Sequence, residues 1–338
     1  MLEKDLKTKI FNYIALDEND LSVFNTRNAV NLLPKLDSEK LISIINLESV
    51  NNLRRINKFH KKVNESLNVG SIYVSCGETI TQRENRIKKK IIFGFKHAFI
   101  LLDFIYKRVM PKLPITKHIY FSITRGRNRV LSKAEILGRL NSCGFTTLKY
   151  FNYKNRLYVI SKKNEIIKPY VKPSYGPLIS LNRIGFKGKI FKVYKFRTMH
   201  PYSEFIQEDV HKENKLNTKG KLSNDFRLTS WGKFLRKYWI DELPQIYNLL
   251  RGDIKLVGPR ALSEHYFSLY PKDIQDLRIS IKPGLIPPYY ADMPNCFQEI
   301  IESERKFIQQ KIKSPIITSI KYFFLSMVNI LLKGARSS

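Results

Sequence analysis

A polar, proline-punctuated stretch near the middle of the chain is the feature that most constrains the fold. It reads KKNEIIKPYVKPSY over Lys162–Tyr175, and its two Lys-Pro steps favour extended backbone over helix. A chain of 338 residues is long enough for about two domains of roughly 150 residues each. The stretch therefore predicts a boundary between a domain over 1–165 and a second domain over 174–338.

The N-terminal half has the element order of an α/β domain. Leu131–Cys143 is predicted to be a helix, because Ser132 with Glu135 three residues later forms a capping box. Short runs of β-branched and aromatic residues bounded by turn residues predict strands. These predicted strands lie within Asn68–Val74, Thr146–Tyr150 and Leu157–Ser161.

The C-terminal half is predicted to be richer in helices. Lys189–Phe196 alternates as a strand, and Thr229 or Ser230 can cap a helix over Trp231–Trp239. A second helix should start near Asp241–Pro244, since proline is tolerated in a first turn. Its apolar side chains share one face at helical spacing, and they are Leu243, Ile246, Tyr247 and Leu250.

The charge of the chain indicates its partners. Sixty Lys and Arg against 29 Asp and Glu give a formal net charge of +31, which suits nucleic acid, an anionic membrane surface or phosphorylated substrates. The basic residues are spread along the chain, with one dense run at Arg86–Lys90. No aromatic-basic RNA motif and no helix-turn-helix pattern is evident. We therefore expect an anionic membrane surface rather than nucleic acid.

Two segments are apolar but fall short of a plain membrane-spanning helix, which needs about 20 apolar residues. They are 91–114 in the N-terminal half and Pro315–Leu332 near the other end of the chain. The first carries Lys96, His97 and Asp103, so full spanning would be costly. We expect it to enter one leaflet and return, with both ends on the cytoplasmic side.

Basic residues flank the 91–114 segment and are predicted to hold both ends at an anionic surface. They are Lys88–Lys90 before it and Lys107, Arg108 and Lys112 near its end. The alternative is a core helix of the N-terminal domain, in which case the membrane anchor is expected at Pro315–Leu332.

The adjacent carboxylates Asp241 and Glu242 are the strongest candidates for chemistry. Neighbouring carboxylates before a helix commonly cap it on a solvated surface, and that is the alternative role. Here a Gly-Pro-Arg loop ending at Arg260 follows closely. One carboxylate can attack phosphorus or hold Mg²⁺ while arginine neutralises phosphoryl oxygens. Further charged residues precede the pair, namely Lys195, Arg197, Asp225, Arg227 and Arg236.

Six short motifs occur in order and at tight spacing around this pair. They are KFRTM (Lys195–Met199), DFRLT (Asp225–Thr229), WGKFLR (Trp231–Arg236), DELPQ (Asp241–Gln245), NLLRGD (Asn248–Asp253) and LVGPR (Leu256–Arg260). Together they resemble the bacterial sugar transferase family, the monotopic polyprenyl-phosphate phosphoglycosyl transferases. The resemblance covers roughly residues 174–332, and it implies a helix-rich monotopic phosphoglycosyl transferase domain.

The resemblance implies a reaction at the cytoplasmic face of the bacterial inner membrane. A sugar-1-phosphate would pass from a UDP-sugar to polyprenyl phosphate through an aspartyl-phosphate sugar, with release of UMP. Such a step starts the assembly of extracellular polysaccharide, capsule, O-antigen or glycoconjugate. The alternative is an inactive membrane-docked scaffold for partner glycosyltransferases.

The family's residue roles carry over onto matching positions. Asp241 is expected to be the nucleophile, and Glu242 is expected to hold Mg²⁺, with Asp225 as a second metal ligand. Substrate phosphates are expected to bind to basic residues of the motifs, namely Arg260, Lys195, Arg197, Arg227 and Arg236.

The sequence departs from the family pattern at several points. Ala261 stands where proline usually follows the arginine, and Asn182 replaces a glutamine. Leu285–Asn295 reads LIPPYYADMPN instead of a glycine-containing continuation, which puts sugar or acceptor specificity in doubt. The family's membrane helix precedes a Gly-Pro motif, here Gly176–Pro177, but the sequence before it is too polar for such a helix.

The N-terminal half has a resemblance of its own. Leu131–Lys163 is similar to the last helix and final strand pair of class I S-adenosylmethionine methyltransferases. No glycine-rich loop follows a strand in the first 70 residues, so the cofactor-binding half is missing. We expect a partial, degenerate Rossmann-like domain that serves as a scaffold or positions the chain at the membrane.

Overall fold

The computed structural model describes residues 3–13, 21–29, 43–91, 93–164, 175–206 and 225–333. The chain divides into two compact units. Among the described residues, unit 1 comprises 3–164 with 175, 200–206 and 225–227, and unit 2 comprises 176–199 and 228–333. Most of the predicted boundary, residues 165–174, lies outside the described part of the chain.

Unit 1 is built on a five-stranded sheet with the order β1-β2-β3-β5-β4. The first three strands are parallel, whereas β5 runs antiparallel to both β3 and β4. The strands are β1 (Leu21–Phe24), β2 (Ser43–Ser49), β3 (Ile72–Gly77), β4 (Phe145–Tyr153) and β5 (Arg156–Lys163). The helices are α1 (Lys4–Phe11), α2 (Ile56–Glu65), α3 (Ile80–Lys90), α4 (Lys96–Phe104), α5 (Thr116–Thr124) and α6 (Lys133–Ser142). The unit is therefore mixed α/β, as predicted.

Helix α6 begins where the sequence predicts it. The Ser132 side chain accepts a hydrogen bond from the Glu135 backbone N–H, and the Glu135 carboxylate accepts one from the Ser132 backbone N–H. This capping box satisfies two backbone donors that helix geometry leaves unpaired. The three predicted strands are confirmed within β3, β4 and β5, with boundaries shifted by a few residues.

Glu135 also anchors a buried charge cluster in unit 1. Its carboxylate accepts hydrogen bonds from Arg108 Nη1 at 2.5 Å and from Lys112 Nζ at 3.2 Å. Burial alone would raise the pKa of Glu135, but the two cations outweigh it and hold that pKa well below its ordinary value. The prediction that Arg108 and Lys112 face a membrane surface is therefore wrong, because both point into unit 1.

Unit 2 contains two small sheets and a set of helices. Its strands are β6 (Leu178–Ile184), β7 (Ile190–Phe196), β8 (Lys255–Val257) and β9 (Gly284–Ile286), and β6 pairs antiparallel with β7 while β8 pairs parallel with β9. Its helices are α7 (Ser230–Lys237), α8 (Gln245–Leu250), α9 (Glu264–Ser268), α10 (Lys272–Ile279), α11 (Tyr289–Asp292), α12 (Phe297–Lys313) and α13 (Pro315–Leu332). A core of Val257, Ile286, Tyr290, Phe307, Ile308 and Tyr322 joins β8, β9 and the last three helices.

Helix α13 buries mostly polar side chains and exposes apolar ones, the opposite of a surface helix in a water-soluble protein. Its buried side chains are Thr318, Tyr322, Ser326 and Asn329, and Asn329 Nδ2 donates to the backbone oxygens of Tyr290 and Ala291, each at 2.9 Å. By length and composition alone this helix is apolar enough to cross a membrane. Its exposed side includes Ile316, Ile317, Ile320, Phe324, Leu325, Val328, Leu331 and Leu332.

Replacing Glu135 by leucine should destabilise the protein by about 3–5 kcal/mol, because Arg108 and Lys112 would stay buried without their carboxylate. Urea denaturation at neutral pH measures the effect. Since the pKa of Glu135 is depressed in the folded state, the carboxylate stabilises above its unfolded pKa of about 4.3, and the stabilisation is lost as pH falls towards the folded pKa. The control is Glu65→Leu at an exposed ion pair, and an equal loss in both variants would contradict the assignment.

Candidate active site

The Asp241–Glu242 pair lies on a tight turn between α7 and α8. A short 3₁₀ helix, Ile240–Glu242, follows Trp239, whose backbone is left-handed at φ 62°. That region is costly for a residue with a bulky side chain. The indole of Trp239 packs on Tyr290 with ring centroids 4.7 Å apart, which ties the turn to the core of unit 2. The carboxylates are thus held by a fixed backbone rather than by a mobile loop.

Glu242 is fixed by two hydrogen bonds. Its Oε1 accepts from Lys195 Nζ at 2.6 Å, and its Oε2 accepts from Gln245 Nε2 at 3.1 Å. Lys195 comes from β7 and Gln245 from the first turn of α8. Burial lowers the pKa of Lys195, and the negative charge of Glu242 offsets part of that effect. The ion pair therefore joins the strand to the turn that carries the carboxylates.

Asp241 has a raised pKa. Burial is the main cause, the neighbouring charge of Glu242 adds to it, and the positive charges of Lys195 and Arg236 oppose it. A raised pKa makes a carboxylate more basic and places its titration closer to neutral pH. Two adjacent carboxylates that repel each other are also a donor set that a divalent cation would stabilise.

Arg260 faces the same cavity as Glu242. Arg183, Lys195 and Tyr289 also line this cavity. Arg260 Nη1 donates to the Tyr289 hydroxyl at 3.1 Å. Burial would lower the pKa of Arg260, but Tyr289 and Glu242 outweigh it and raise the pKa, so the guanidinium stays charged. Three cations face one carboxylate here, and the cavity is suited to a polyphosphate.

Two glycines set the position of Arg260. A Cβ on Gly284 would lie 2.0 Å from the Gly258 backbone nitrogen and 2.5 Å from its Cα, which no side chain can tolerate. The β8–β9 pairing therefore brings the Gly-Pro-Arg loop against the Lys-Pro-Gly loop, Lys282–Gly284. Arg260, which follows β8, forms an isolated parallel bridge with Gly284. The two motifs are one structural feature.

The remaining predicted site residues have other partners. Arg236 Nε donates to Thr198 Oγ1 at 3.1 Å, and its charge acts on Asp241. Arg197 Nε donates to the Gly176 backbone oxygen at 2.9 Å, so it holds the Gly-Pro turn at the start of unit 2. Lys195, Glu242 and Arg260 share one cavity.

Asp225 and Arg227 bind each other in unit 1. Both oxygens of the Asp225 carboxylate accept hydrogen bonds from Arg227, including Nη2 to Oδ2 at 2.7 Å, and both side chains are buried. Their predicted roles in metal and phosphate binding stay predictions.

Three residues of the cavity had no role assigned from the sequence. Gln245 is the last residue of DELPQ, and Arg183 begins a further short match to the family, Arg183–Gly185 followed by Gly188–Lys189. Tyr289 lies in the segment that departs from the family pattern. Motif membership marked the first two as candidates, but only the long-range contact with Arg260 singles out Tyr289.

Comparison with known proteins places this site in a family. Residues 164–327 match the bacterial sugar transferase family. The chain is 37% identical over 169 residues to "Galactosyl transferase CpsE" of Streptococcus agalactiae serotype III (strain NEM316), which covers 48% of this chain and 37% of that protein. It is 40% identical over 116 residues to "Undecaprenyl-phosphate galactose phosphotransferase" of Salmonella typhimurium (strain LT2), which covers 32% of this chain and 24% of that protein.

A third relative is the "Uncharacterized sugar transferase EpsL" of Bacillus subtilis (strain 168), 43% identical over 104 residues that cover 30% of this chain and 45% of that protein. The matched stretches thus span less than half of each of these three relatives. Residues 164–327 belong to the bacterial sugar transferase family, and the resemblance predicted from the motifs is confirmed.

Replacing Gly284 by alanine should destabilise unit 2 by about 1–3 kcal/mol, the usual cost of an overpacked site. The added methyl group would force β8 and β9 apart at Gly258. Thermal or urea unfolding measures the loss. Gly176→Ala is the control, because its nearest contact would be an ordinary 3.7 Å to the Leu178 backbone oxygen. Unchanged stability in Gly284→Ala would contradict the close approach.

Proposed function

We propose that this chain transfers a sugar-1-phosphate from a UDP-sugar to polyprenyl phosphate and releases UMP. The observation that carries the proposal is the fixed Asp241–Glu242 turn beside a cation-rich cavity that contains Arg260. This arrangement lies within the segment that belongs to the bacterial sugar transferase family. One relative is named as a galactose phosphotransferase acting on undecaprenyl phosphate, which supports a lipid-linked acceptor.

The reaction proceeds in two displacements. An oxygen of Asp241 attacks the phosphorus that carries the sugar, and the bond from that phosphorus to the bridging oxygen breaks. UMP leaves with the bonding electron pair, and the sugar phosphate stays on Asp241. An oxygen of polyprenyl phosphate then attacks the same phosphorus and releases the Asp241 carboxylate, giving the polyprenyl diphosphate sugar. Each displacement requires an ionised oxygen nucleophile.

The cations of the cavity serve the phosphoryl oxygens. Arg260 offers a planar fork of donors that matches phosphate, and Tyr289 orients that fork from one side. Arg183 adds a second guanidinium, and Lys195 adds an ammonium that is already fixed by Glu242. Charge that develops on the phosphoryl group is therefore met by fixed donors in a partly buried site.

The dyad also suits Mg²⁺. This ion usually binds through one or two carboxylates and completes its shell with substrate phosphates and water. Within the described ranges no group of three or more His, Cys, Asp or Glu side chains is gathered. Glu242 would hold the ion, and bound Mg²⁺ would neutralise charge on the diphosphate. Asp225, the second metal ligand expected from the sequence, lies in unit 1, and that expectation stays a prediction.

A lipid acceptor places unit 2 at the cytoplasmic face of the bacterial inner membrane. Apolar side chains on α7, α8 and α13 are exposed, whereas a water-soluble unit would bury such faces. The helix after the dyad exposes the apolar face that the sequence predicts, with Leu250 at 81%. Docking there would let the polyprenyl phosphate reach Asp241 while the UDP-sugar arrives from water.

The alternative function is an inactive scaffold that docks on membranes or on partner glycosyltransferases. The intact set of Asp241, Glu242, Lys195 and Arg260 favours the enzyme, because an inactive scaffold has no need for an ion pair beside an acidic turn. The reaction would start the assembly of a polysaccharide or glycoconjugate.

Unit 1 is proposed to be a partial Rossmann-like domain without a methyltransferase function. Three parallel strands followed by an antiparallel hairpin support this reading. Its proposed task is to position the chain.

Asp241→Asn should abolish turnover, because an amide supplies no ionised nucleophile. The assay is UMP release from a panel of UDP-sugars in the presence of polyprenyl phosphate and Mg²⁺, and trapping of a phospho-sugar adduct on the protein checks the intermediate. Loss of a nucleophile costs orders of magnitude in rate. Asp276→Asn, at an exposed carboxylate, is the control, and more than about a tenth of the wild-type rate in Asp241→Asn would exclude Asp241 as nucleophile.

Lys195→Met should move the acid limb of the kcat/KM profile to higher pH. Activity requires ionised Asp241 and is lost as pH falls through the pKa of that carboxyl. Lys195 lowers this pKa, so its removal raises the pH at which protonation occurs. Lys192→Met, at an exposed lysine of the same strand, is the matched control and should leave the limb in place. An acid limb that stays put in Lys195→Met would show that another group governs it.

A further inference from the structure

A helical segment of unit 1 carries a surface that the proposed reaction does not use. Helix α4 continues through a π-helical turn, Ile105–Val109, and a 3₁₀ turn, Met110–Lys112, before the backbone becomes extended at Leu113. Helix α5 then follows at Thr116. Residues 95–123 thus form two helical arms joined at a proline-flanked break, here called the 95–123 hairpin.

The polar side of the hairpin faces into unit 1. Asp103 accepts two hydrogen bonds from Arg83, at 2.6 and 2.9 Å, and an ion pair of 2.9 Å links it to Lys107. Arg108 and Lys112 reach Glu135 in the same direction. Four charged side chains of the hairpin, which a soluble helix would present to water, are therefore turned inwards and paired, and they fix the rotation of α4.

The opposite side of the hairpin is apolar and exposed within the described part of unit 1. Residues on both arms contribute, and Leu102 on α4 is 64% exposed while Ile119 on α5 is 53% exposed. Exposed apolar side chains grouped along one segment in this way mark a contact with protein or lipid. The exposed side chains are Phe95, Phe99, Leu101, Leu102, Ile105, Leu113, Ile115, Ile119 and Ile123.

The charges around this surface discriminate between its occupants. Between residues 88 and 127 the only acidic residue is Asp103, which is buried by its partners. Exposed cations flank the apolar side chains, at Lys88–Lys90 before the hairpin and at Arg125 and Arg127 after it. A second copy of the chain would bring the same positive charge against itself, so self-association is disfavoured.

We propose that the 95–123 hairpin docks into one leaflet of an anionic bilayer, independently of the apolar helices of unit 2. Its apolar side chains enter the boundary between headgroups and acyl chains, as interfacial amphipathic helices do. The flanking cations then meet lipid phosphates at the surface. The paired charges on the inner side stay within the protein, and the exposed Lys117 of α5 joins the cations at the headgroups, so no charged side chain has to cross the bilayer.

Site-specific fluorescence tests this surface without using activity. The full-length protein carries Cys296→Ser, because Cys296 is exposed while Cys76 and Cys143 are buried. Single cysteines at Leu102→Cys and Ile119→Cys are labelled with the environment-sensitive dye NBD. Leu148→Cys on β4 is the matched control, because Leu148 is an equally apolar side chain of unit 1 with 48% exposure. Vesicles contain phosphatidylglycerol and phosphatidylethanolamine in equal parts, or phosphatidylcholine alone.

With the anionic vesicles, emission from labels at 102 and 119 should shift to shorter wavelength and be quenched by spin-labelled acyl chains, while the label at 148 stays in water. Neutral vesicles or high salt should lower the vesicle affinity measured from this shift about tenfold or more, since each surface cation contributes about 1 kcal/mol to binding. Because the labels report their own surroundings, binding through unit 2 alone cannot imitate this result.

Three outcomes would overturn the proposal. Labels at 102 and 119 that stay in water while the protein cosediments with vesicles would show that only unit 2 docks. A shift that grows with protein concentration in the absence of vesicles would assign the surface to a second copy. An equal shift on neutral vesicles would remove the role of the flanking cations. Leu102→Glu with unchanged circular dichroism and a lost shift at 119 would add support, since the exposed position lets the variant fold.

Discussion

The close approach of Gly258 and Gly284 is the constraint on which the active-site architecture of unit 2 depends. Two backbone segments meet without a side chain between them, and the β8–β9 pairing on one side continues into the core that holds α12 and α13. The same contact also positions Arg260 at the cavity. The cationic wall of the site and the hydrophobic core are therefore built from one pair of strands, and a disturbance of either would reach the other.

The ion pair between Lys195 and Glu242 fixes a second part of the cavity wall. It connects β7 to the turn that carries Asp241, so the proposed nucleophile is positioned through its neighbour Glu242. Lys195 pairs with Glu242 and lowers the pKa of Asp241 against the effect of burial. A carboxylate that is partly desolvated but still opposed by fixed cations is more basic than one in water, yet it stays available as a nucleophile.

Sequence patterns predicted the parts of this structure that depend on neighbours in the chain. The Ser132–Glu135 capping box and the strands around it follow from local hydrogen bonding and alternation, and the motifs around Asp241 carried enough information to place the family.

Lys107, Arg108 and Lys112 were misassigned to the membrane surface for a physical reason. Their partners Asp103 and Glu135 are set by tertiary packing, which a charge pattern along one segment does not encode.

The contact between Arg260 and Tyr289 shows why some site residues escape prediction altogether. Tyr289 lies in the stretch where the sequence leaves the family pattern, and nothing in that stretch marks one tyrosine over the next. In the folded chain the β8–β9 register selects it, because the strand that ends at Ile286 leads straight into the helix that presents Tyr289 to the guanidinium. The hydroxyl then accepts a hydrogen bond from one arm of the guanidinium and so orients the side chain that is proposed to bind phosphate. A departure from the family sequence thus acts directly on the contacts of Arg260 in the cavity.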